Sequence, residues 1–388
     1  MKSFTFKHWL NNSRVPGRLL VFCMLLLHLP RHWPRRQPLT PKCILVLHHL
    51  LLGDAIMLCG LLAKLRQQYP DAKLYLATPE ATVSLFAGKP YGVQALAFNP
   101  RRLETLLALF RLPRPDLAII PAENRYTPLA GALGARWIVA FEGDSPAWKN
   151  WLVDDLRSYP PSATAWPDMA TMLTDGPPPA PFKSIDWPAP PHREFRLPQK
   201  PFCVLHLGAS SSLRYWSPEN WSHLAQSLTA RGYTVVWSGG PGEEHLVRQC
   251  DPDNNYISFA GRLDLAQMWH LLANANLLVS PDTGIAHLVK ATGTPSVTLF
   301  GPGSALIYGP GKFWSDHPYR AITIDSFPCR DGRMLFERNF ISWVRHCARP
   351  PSECPAPRCM QGLTPSMVEE ACYALLSHAK NAPTDCTA

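Results

Sequence analysis

Short apolar runs alternate with longer amphipathic stretches along most of the chain. The run Cys43–Leu47 is continuous and apolar, as expected of a strand buried on both faces, and a stretch with helical periodicity follows at 55–66. A second apolar run at 74–77 comes next. A strand, a helix and another strand in this order form a βαβ unit, so the pattern predicts a parallel sheet. The alternation continues through apolar runs at 95–98, 117–120 and 137–141.

A second series of the same kind begins after a proline-rich stretch at 175–200. Its apolar runs lie at 202–207, 234–238, 277–279 and 296–299. Proline cannot serve the interior of a sheet, so the stretch between the two series is interpreted as a linker. The sequence predicts an α/β protein with a leader at 1–40, a first domain at 41–170, a linker at 171–200, a second domain at 201–325, and a tail at 326–388 that holds a cysteine-containing loop and a helix.

The composition adds a strongly basic N-terminal end to this picture. The chain has 388 residues, 46% of them hydrophobic, which is enough for two sizeable cores, and its formal net charge is +9. Residues 1–42 contain several Lys and Arg residues and no Asp or Glu. Such an end favours an anionic partner surface. No nucleic-acid-binding motif accompanies it, so we expect a membrane surface and no nucleic acid.

The leader has an apolar core at 19–29, which is shorter than the roughly 20 residues that span a bilayer. Three interpretations are open: an amphipathic segment on the inner membrane surface, a helix that packs on the protein, and a signal peptide. No small-residue cleavage site follows the apolar core. The sequence favours the first interpretation, with the protein peripheral on the cytoplasmic face.

Eleven cysteines are scattered along the chain, and several lie in apolar runs as small core residues. With no clear secretion signal, they favour a reducing cytoplasm. Cys329, Cys347, Cys354 and Cys359 form a late group that raises the alternative of a zinc or iron site. Because their spacing lacks the C-x2-C pairs of common zinc sites, we predict free or structural thiols and no metal.

One stretch, 280–302, combines the features of an anion-binding turn. The buried run at 277–279 leads into Asp282, Thr283 and Gly284, and a helical segment with His287 follows. Asp and Thr begin helices well, and glycine lets a ligand approach the backbone. A helix N-terminus presents N–H groups and a partial positive charge, so we expect it to bind the diphosphate of a nucleotide sugar.

Three segments together resemble one family. They are the Leu-Gly-Asp sequence at 52–54, the stretch at 208–221 that begins Gly-Ala-Ser-Ser-Ser-Leu-Arg, and the stretch at 282–287 with its Gly-Thr-Pro continuation at 293–295. They look like the bacterial heptosyltransferases of glycosyltransferase family 9, which move heptose from ADP-heptose onto the lipopolysaccharide core. The resemblance implies a GT-B fold, with two Rossmann-like domains facing each other across a cleft.

In this family the position of Asp54 is that of the proposed general base. A carboxylate at the mouth of a loop can take the proton of an acceptor hydroxyl. The alternative is an Asp that caps the following helix, and the two roles can coexist. On the acceptor side, Asn124 and Arg125 follow the apolar run at 117–120 and are expected to face the cleft.

The donor side is assigned to the second domain. Backbone N–H groups of Thr283 and Gly284 are expected to hold phosphate oxygens, and Asp282 to bind sugar hydroxyls, with His287 one helical turn away. Two further loops carry candidate ligands. Hydroxyls and a cation on the first loop are suited to binding phosphate, and a glutamate on the second is suited to binding the ribose hydroxyls. These predicted donor residues are Ser210, Ser211, Arg214 and Glu244, with Glu243 as the alternative to Glu244.

The resemblance implies transfer of a heptose to a lipopolysaccharide core or related glycan by a single inverting displacement. The expected partners are a nucleotide-sugar donor, ADP-heptose above others, a lipid-linked glycan acceptor and the anionic inner-membrane surface. No metal or other cofactor is needed in this scheme, because the helix N-terminus and Arg214 offset the diphosphate charge. Two alternatives stay open: a same-fold enzyme that uses another nucleotide sugar for capsule or O-antigen, and a catalytically silent sugar-nucleotide-binding assembly protein.

Overall fold

The computed structural model describes residues 14–28, 35–336, 338 and 341–381. Over these residues the chain forms two compact units, each built on its own sheet. Their segments are Met1–Ala180, Ile185–Pro188 and Arg333–Val344 for the first unit, and Pro181–Ser184, Ala189–Gly332 and Arg345–Ala388 for the second. Neither unit is therefore a continuous stretch of sequence.

The first unit contains a six-stranded parallel sheet among the described residues. Its strands are β1 Cys43–Leu47, β2 Lys73–Thr78, β3 Val93–Ala97, β4 Leu117–Ile120, β5 Trp137–Phe141 and β6 Asp155–Arg157. They lie in the order β3-β2-β1-β4-β5-β6, with Val46 of β1 opposite Ile119 of β4. Every residue of β1 and β4 is buried, because elements cover both faces of a parallel sheet. The strand order reverses direction between β1 and β4, which is where such sheets bind ligands.

Seven α-helices among the described residues belong to the first unit. They are α1 Arg14–His28, α2 Leu52–Met57, α3 Cys59–Gln68, α4 Glu80–Val83, α5 Leu103–Phe110, α6 Thr127–Ala132 and α7 Trp166–Ala170. The helix predicted at 55–66 is thus two helices, α2 and α3, which meet at Leu58.

The N-terminal helix α1 packs along one side against the first unit. Val21 contacts the apolar core, and His28 Nδ1 donates a hydrogen bond to the carbonyl of Ala132 at 2.9 Å. Just after the helix, Arg35 forms a 2.8 Å ion pair with Asp154. The predicted leader therefore packs on the protein in its described part, while residues 1–13 and 29–34 lie outside the described residues. No described helix is long and apolar enough to cross a membrane.

The second unit repeats the architecture of the first. Its strands are β7 Phe202–His206, β8 Thr234–Ser238, β9 Ile257–Ser258, β10 Leu277–Pro281, β11 Ser296–Phe300 and β12 Tyr319–Thr323. The order β12-β11-β10-β7-β8-β9 is the same as in the first sheet when read from β9, so this sheet reverses direction between β7 and β10. Among the described residues, its α-helices are α8 Pro218–Ala230, α9 Glu244–Cys250, α10 Leu265–Asn274, α11 Gly284–Thr292, α12 Ala305–Tyr308, α13 Arg358–Gln361 and α14 Pro365–Asn381. The predicted α/β class with two parallel sheets is confirmed.

Tryptophans anchor the core of the second unit. Trp221 on α8 is 1% exposed and meets Trp216 edge to face, with ring centroids 5.1 Å apart. The Trp216 indole donates to the carbonyl of Leu363 at 2.7 Å, which fixes the chain before α14 on this core. The tail beyond 345 therefore packs as part of the second unit.

Two segments differ from the domain boundaries expected from sequence. The proline-rich stretch contains Trp187, which is 1% exposed and donates to the carbonyl of Leu85 at 2.9 Å, so part of this stretch packs in the first unit. The segment Arg333–Val344, expected in the tail, also belongs to the first unit. Proline content alone does not reveal a buried indole within a predicted linker.

Candidate functional site

The Asp282 turn lies at the carboxyl end of β10, directly before helix α11. Thr283 has extended backbone (φ −148°, ψ 169°) and is the N-cap residue, and Gly284 is the first residue of the helix. The Thr283 side chain makes no capping hydrogen bond. The first turn of α11 thus presents N–H groups and the positive end of a nine-residue helix, as the sequence predicts.

Arg214 and Asp282 meet at the reversal point of the second sheet. Arg214 follows β7 and Asp282 follows β10, which are neighbouring strands, so their loops lie at one sheet edge. Arg214 Nη1 donates to the backbone carbonyl of Asp282 at 2.7 Å and lies 3.8 Å from its carboxylate. Asp282 is 4% exposed. Burial raises the pKa of the Asp282 carboxyl above its ordinary value, while Arg214 and Lys290 act to lower it.

His287 lies on α11 beside the same carboxylate. Its Nε2 is 3.8 Å from Asp282 Oδ1, and its Nδ1 is 3.2 Å from the ammonium of Lys290. Burial lowers the pKa of His287 well below its ordinary value, so the ring is neutral at physiological pH. Lys290 was missed by sequence reasoning. Its position three residues after His287 puts both on one helix face, which is the signal that identifies it.

Gly303 makes room for the Asp282 carboxylate. A β-carbon at Gly303 would come within 2.4 Å of Asp282 Oδ2. This contact is too short for any side chain, so the carboxylate keeps its position only with glycine there. The loop after β11 therefore also contributes to this site.

The two glutamates after β8 take different positions. The Glu243 carboxylate accepts the N–H of Gly240 at 2.6 Å and lies where a β-carbon of Gly208 would be. Glu244, the predicted ribose ligand, is the first residue of α9 and accepts the N–H of Gly242 at 3.2 Å. The Glu243 carboxylate thus lies between the loops after β7 and β8, and β7 borders the point where the strand order reverses. The Glu244 carboxylate contacts Gly242 in the loop after β8 and is further from that point.

The predicted serines lie on the loop after β7. Ser210 is exposed, while Ser211 is partly buried and its hydroxyl accepts the N–H of Leu213 at 3.3 Å. The three loops that carry the predicted donor residues follow β7, β8 and β10, which are adjacent in the sheet. The second unit therefore brings all predicted donor residues to the carboxyl edge of three neighbouring strands.

Asp54 lies at the carboxyl edge of the other sheet, after β1. It is in the first turn of α2, and its carboxylate accepts the N–H of Leu51 at 3.1 Å. This contact is the capping role considered above. A carboxylate has further lone pairs, so one such bond is compatible with accepting a proton. His48, which precedes the loop, is buried, and burial lowers its pKa to about 3.

Asn124 and Arg125 follow β4, the neighbour of β1, but they differ in environment. Asn124 is 0% exposed, and its Nδ2 donates to the carbonyl of Phe141 at 2.8 Å. Its Oδ1 accepts from Arg338 Nη2 at 2.9 Å, and its backbone N–H donates to Asp144 at 2.6 Å. Its amide is therefore engaged inside the protein. Arg125 is exposed and pairs with Glu123.

A cavity of about 410 Å³ opens beside this network at the carboxyl ends of β5 and β6. Arg338, Glu142, Tyr159 and Trp343 are among its lining residues. The Tyr159 ring stacks on Phe141 at 4.4 Å, so aromatic faces and a carboxylate surround the space. These are side chains of the kind that contact sugars, and they lie at the same sheet edge as Asp54.

The cysteines that the structure describes are free thiols. Within the described part of the chain, no group of three or more His, Cys, Asp or Glu side chains is arranged to hold a metal ion. The cations placed around Asp282 are instead the side chains of Arg214 and Lys290.

Comparisons with known proteins agree with this arrangement. The sequence profile of glycosyltransferase family 9 (heptosyltransferase) matches residues 170–317, the region that holds the predicted donor residues. Lipopolysaccharide heptosyltransferase 1 of Salmonella typhimurium is 31% identical over 115 residues, which are 29% of this chain and 36% of that protein. This chain thus aligns with about a third of that relative's length.

Longer matches extend over both units. Lipopolysaccharide heptosyltransferase 3 of Escherichia coli is 22% identical over 323 residues, covering 72% of this chain and 89% of that protein. The solved structure of E. coli ADP-heptose lipopolysaccharide heptosyltransferase II aligns with a TM-score of 0.67 at 21% identity, covering 87% of this chain and 99% of that one. The structural likeness shows the shared GT-B fold, and the sequence matches show that this chain is similar to the heptosyltransferases of glycosyltransferase family 9.

Proposed function

We propose that this protein is a glycosyltransferase that moves a heptose from ADP-heptose to a lipopolysaccharide core or a related glycan. The arrangement of Arg214, Asp282 and His287 around the N-terminus of α11 carries this proposal, because it lies inside the region that matches the family profile. The relatives' names supply the donor and the acceptor class.

The donor diphosphate would bind at the first turn of α11. The N–H groups of Thr283 and Gly284, together with the guanidinium of Arg214, offset its charge without a metal ion. When the bond between the sugar and the diphosphate breaks, negative charge grows on the leaving oxygen. A preorganised set of donors stabilises that charge more than it stabilises the intact donor, and this difference accelerates the transfer.

Asp54 would act on the acceptor. The acceptor hydroxyl attacks the anomeric carbon, ADP departs from the opposite face, and the Asp54 carboxylate takes the hydroxyl proton. A single displacement of this kind inverts the anomeric configuration. The existing bond from Leu51 N–H orients the carboxylate, which is how the capping and catalytic roles coexist.

A donor screen by calorimetry tests the proposal: ADP-heptose against ADP-, UDP- and GDP-hexoses, followed by turnover on defined core acceptors. We expect ADP-heptose to bind tightest and to be turned over. Preference for a UDP- or GDP-hexose would indicate another nucleotide sugar. Tight binding without turnover on any acceptor would indicate the assembly-protein alternative.

Asp54→Asn tests the base. We expect the turnover number to fall at least about a hundredfold while the Kd for ADP-heptose changes little, since general base catalysis contributes about 10² to 10⁴ in rate. Asp71→Asn, a change at a surface carboxylate before β2, is the matched control and should leave both values unchanged. Intact turnover in Asp54→Asn would remove Asp54 from the catalytic role.

We further propose that α1 binds the anionic inner face of the membrane. Val15, Leu19, Phe22 and Leu26 are 47%, 59%, 59% and 50% exposed and follow one another at helical spacing, so they form one apolar stripe. Arg14 and Arg18 are exposed on the same helix, and α1 contains no acid. Apolar insertion plus cations against anionic lipid is the pattern of an interfacial helix.

The triple variant Leu19→Gln, Phe22→Gln, Leu26→Gln tests this surface in co-sedimentation with vesicles. We expect the unmodified protein to bind vesicles containing phosphatidylglycerol and not pure phosphatidylcholine, and the variant to stay in the supernatant. Ile257→Gln, at an apolar residue that is 42% exposed on β9, is the control and should bind as before. Undiminished binding of the triple variant would contradict the proposal.

A further inference from the structure

Lys290 is a buried lysine that the proposed reaction scheme does not use. It lies on α11, is 2% exposed, and has three contacts. Its Nζ lies 3.2 Å from His287 Nδ1, donates to the carbonyl of Tyr308 at 3.2 Å, and is 5.6 Å from the ring centroid of Tyr319. Lysine is almost never fully buried without partners, so the burial of Lys290 depends on these contacts.

Charged and titratable groups face Lys290 from each neighbouring element. Asp282 precedes α11 and favours the ammonium form. His317 and Tyr319 lie at β12, and the His317 ring, whose Nε2 is 2.9 Å from Ser296 Oγ, is neutral because burial lowers its pKa to about 3. Arg214 lies across Asp282. Asp282 is thus the anion of this group, and both Arg214 and Lys290 favour its charged form.

We propose that Lys290 is a positioning residue that fixes His287 as its Nε2–H tautomer and directs that N–H toward Asp282 and the donor diphosphate. The part of this inference that concerns the diphosphate rests on the proposed function. The part that concerns the tautomer rests on the geometry of the protein alone.

The tautomer follows from the chemistry of the two partners. A neutral imidazole has one nitrogen that donates and one that accepts, and an ammonium has donors only. Since Lys290 Nζ lies 3.2 Å from Nδ1, that nitrogen accepts and the ring proton is on Nε2. Nε2 is 3.8 Å from Asp282 Oδ1, longer than a hydrogen bond, so its N–H is not committed to the carboxylate. A phosphate or sugar oxygen within hydrogen-bond distance of Nε2 would receive it.

Lys290 also makes the hydrogen-bond donor of His287 sensitive to pH. Burial lowers the pKa of Lys290 to about 7, although Asp282 acts to raise it. Below that pH the ammonium adds a positive charge behind His287, and above it the charge is lost. Because the His287 ring is already neutral, the pH dependence belongs to Lys290. We therefore expect the affinity for an anionic diphosphate to fall as pH rises through about 7.

Nitrogen-15 NMR of histidine in the ligand-free protein tests the tautomer, with His287→Gln to assign the resonance. At pH 6 we expect the Nε2–H tautomer in the unmodified protein and in Lys290→Arg, which keeps a cation with donors only. Lys290→Met, which keeps the length of the side chain, should lose the fixed tautomer. Lys64→Met is the control, because Lys64 is equally buried and donates to Thr171 and Thr174 carbonyls in the first unit. An Nδ1–H tautomer in the unmodified protein, or an unchanged one in Lys290→Met, would overturn the proposal.

Titration with ADP-heptose between pH 6 and 8.5 tests the link to the donor. We expect the Kd of the unmodified protein to rise about tenfold across this range, and that of Lys290→Met to be weak and flat. Lys64→Met should behave as the unmodified protein. A pH step that survives in Lys290→Met would overturn the role of the lysine in binding. If ADP-heptose does not bind at all, the proposed function and the diphosphate role both fail, whereas the tautomer result stands on its own.

Discussion

Replacing Arg214 with Met isolates the electrostatic support of the Asp282 carboxylate. The change keeps an unbranched apolar side chain and removes the guanidinium, whose Nη1 donates to the Asp282 carbonyl at 2.7 Å and lies 3.8 Å from its carboxylate. Asp282 then remains 3.8 Å from His287, which is neutral, and Lys290 becomes its main cation. A buried anion that loses a cation destabilises the folded protein.

The size of the effect follows from the distance. Two unit charges 3.8 Å apart interact by about 4 kcal/mol at an effective dielectric constant of about 20. Arg214 is 26% exposed, so water screens part of this interaction, and Lys290 remains in place. We therefore expect Arg214→Met to lower the free energy of unfolding by about 1–3 kcal/mol at pH 6.

The loss of unfolding free energy in Arg214→Met depends on pH because the Asp282 carboxyl titrates. Its folded pKa is raised above the ordinary 3.8, so the folded state holds more protons, and the free energy of unfolding falls as pH rises through the interval between the two values. Removing Arg214 raises the folded pKa further and extends this fall to higher pH. At lower pH the carboxyl is protonated in a larger fraction of the folded molecules, so the variant loses less stability at pH 4 than at pH 6.

Urea denaturation at pH 4, 5 and 6, followed by tryptophan fluorescence, measures the difference. The control is Arg193→Met, because Arg193 and Asp264 form an ion pair whose side chains are 83% and 42% exposed, and its loss should stay under about 1 kcal/mol. A destabilisation of Arg214→Met that is equal at all three pH values, or largest at pH 4, would refute this account of Asp282.

Three further predictions concern the candidate site. Gly303→Ala places a β-carbon 2.4 Å from Asp282 Oδ2, so we expect the Kd for ADP-heptose to rise at least about tenfold in calorimetry with circular dichroism unchanged. Glu243→Gln should raise that Kd about tenfold and Glu244→Gln about twofold or less, because the Glu243 carboxylate lies over Gly208. The reverse order would support Glu244 as the ribose ligand. Asn124→Ala should lower the free energy of unfolding in urea by about 2–4 kcal/mol, because it leaves the buried Arg338 without one of its acceptors, whereas Arg125→Ala at the exposed neighbour should cost under about 1 kcal/mol.

The two sheets could be predicted because the apolar sequence of each of several strands is enough to identify it. Runs such as Cys43–Leu47 and Leu117–Ile120 are apolar throughout and are buried at every residue. Continuous apolar strands separated by helices are compatible with few arrangements besides a parallel sheet. The turn at Asp282 could also be predicted, because the helix begins at Gly284 as the residue types indicate.

Contacts between distant parts of the chain could not be predicted from the sequence. Lys290 on an amphipathic helix is normally interpreted as a surface residue, and its burial follows from Tyr308 and Tyr319, which come later in the chain. The sequence predicts Asn124 as an acceptor ligand, yet its amide oxygen accepts a hydrogen bond from Arg338, which lies 214 residues further along. Local spacing indicates that Lys290 and His287 share a helix face, but it carries no information about partners that lie far away in the chain.

The arrangement around Arg338 has a consequence for how the protein is made. Arg338 donates to the carbonyls of Ala122, Phe141 and Glu142, and the last strand of the first sheet is complete at Arg157. A ribosome has therefore synthesised the whole second sheet, through Thr323, before Arg338 can donate to these carbonyls. Domains usually finish folding in the order in which they are synthesised. Here the unit that is translated first acquires a buried hydrogen-bond donor, Arg338, after the other sheet has been translated.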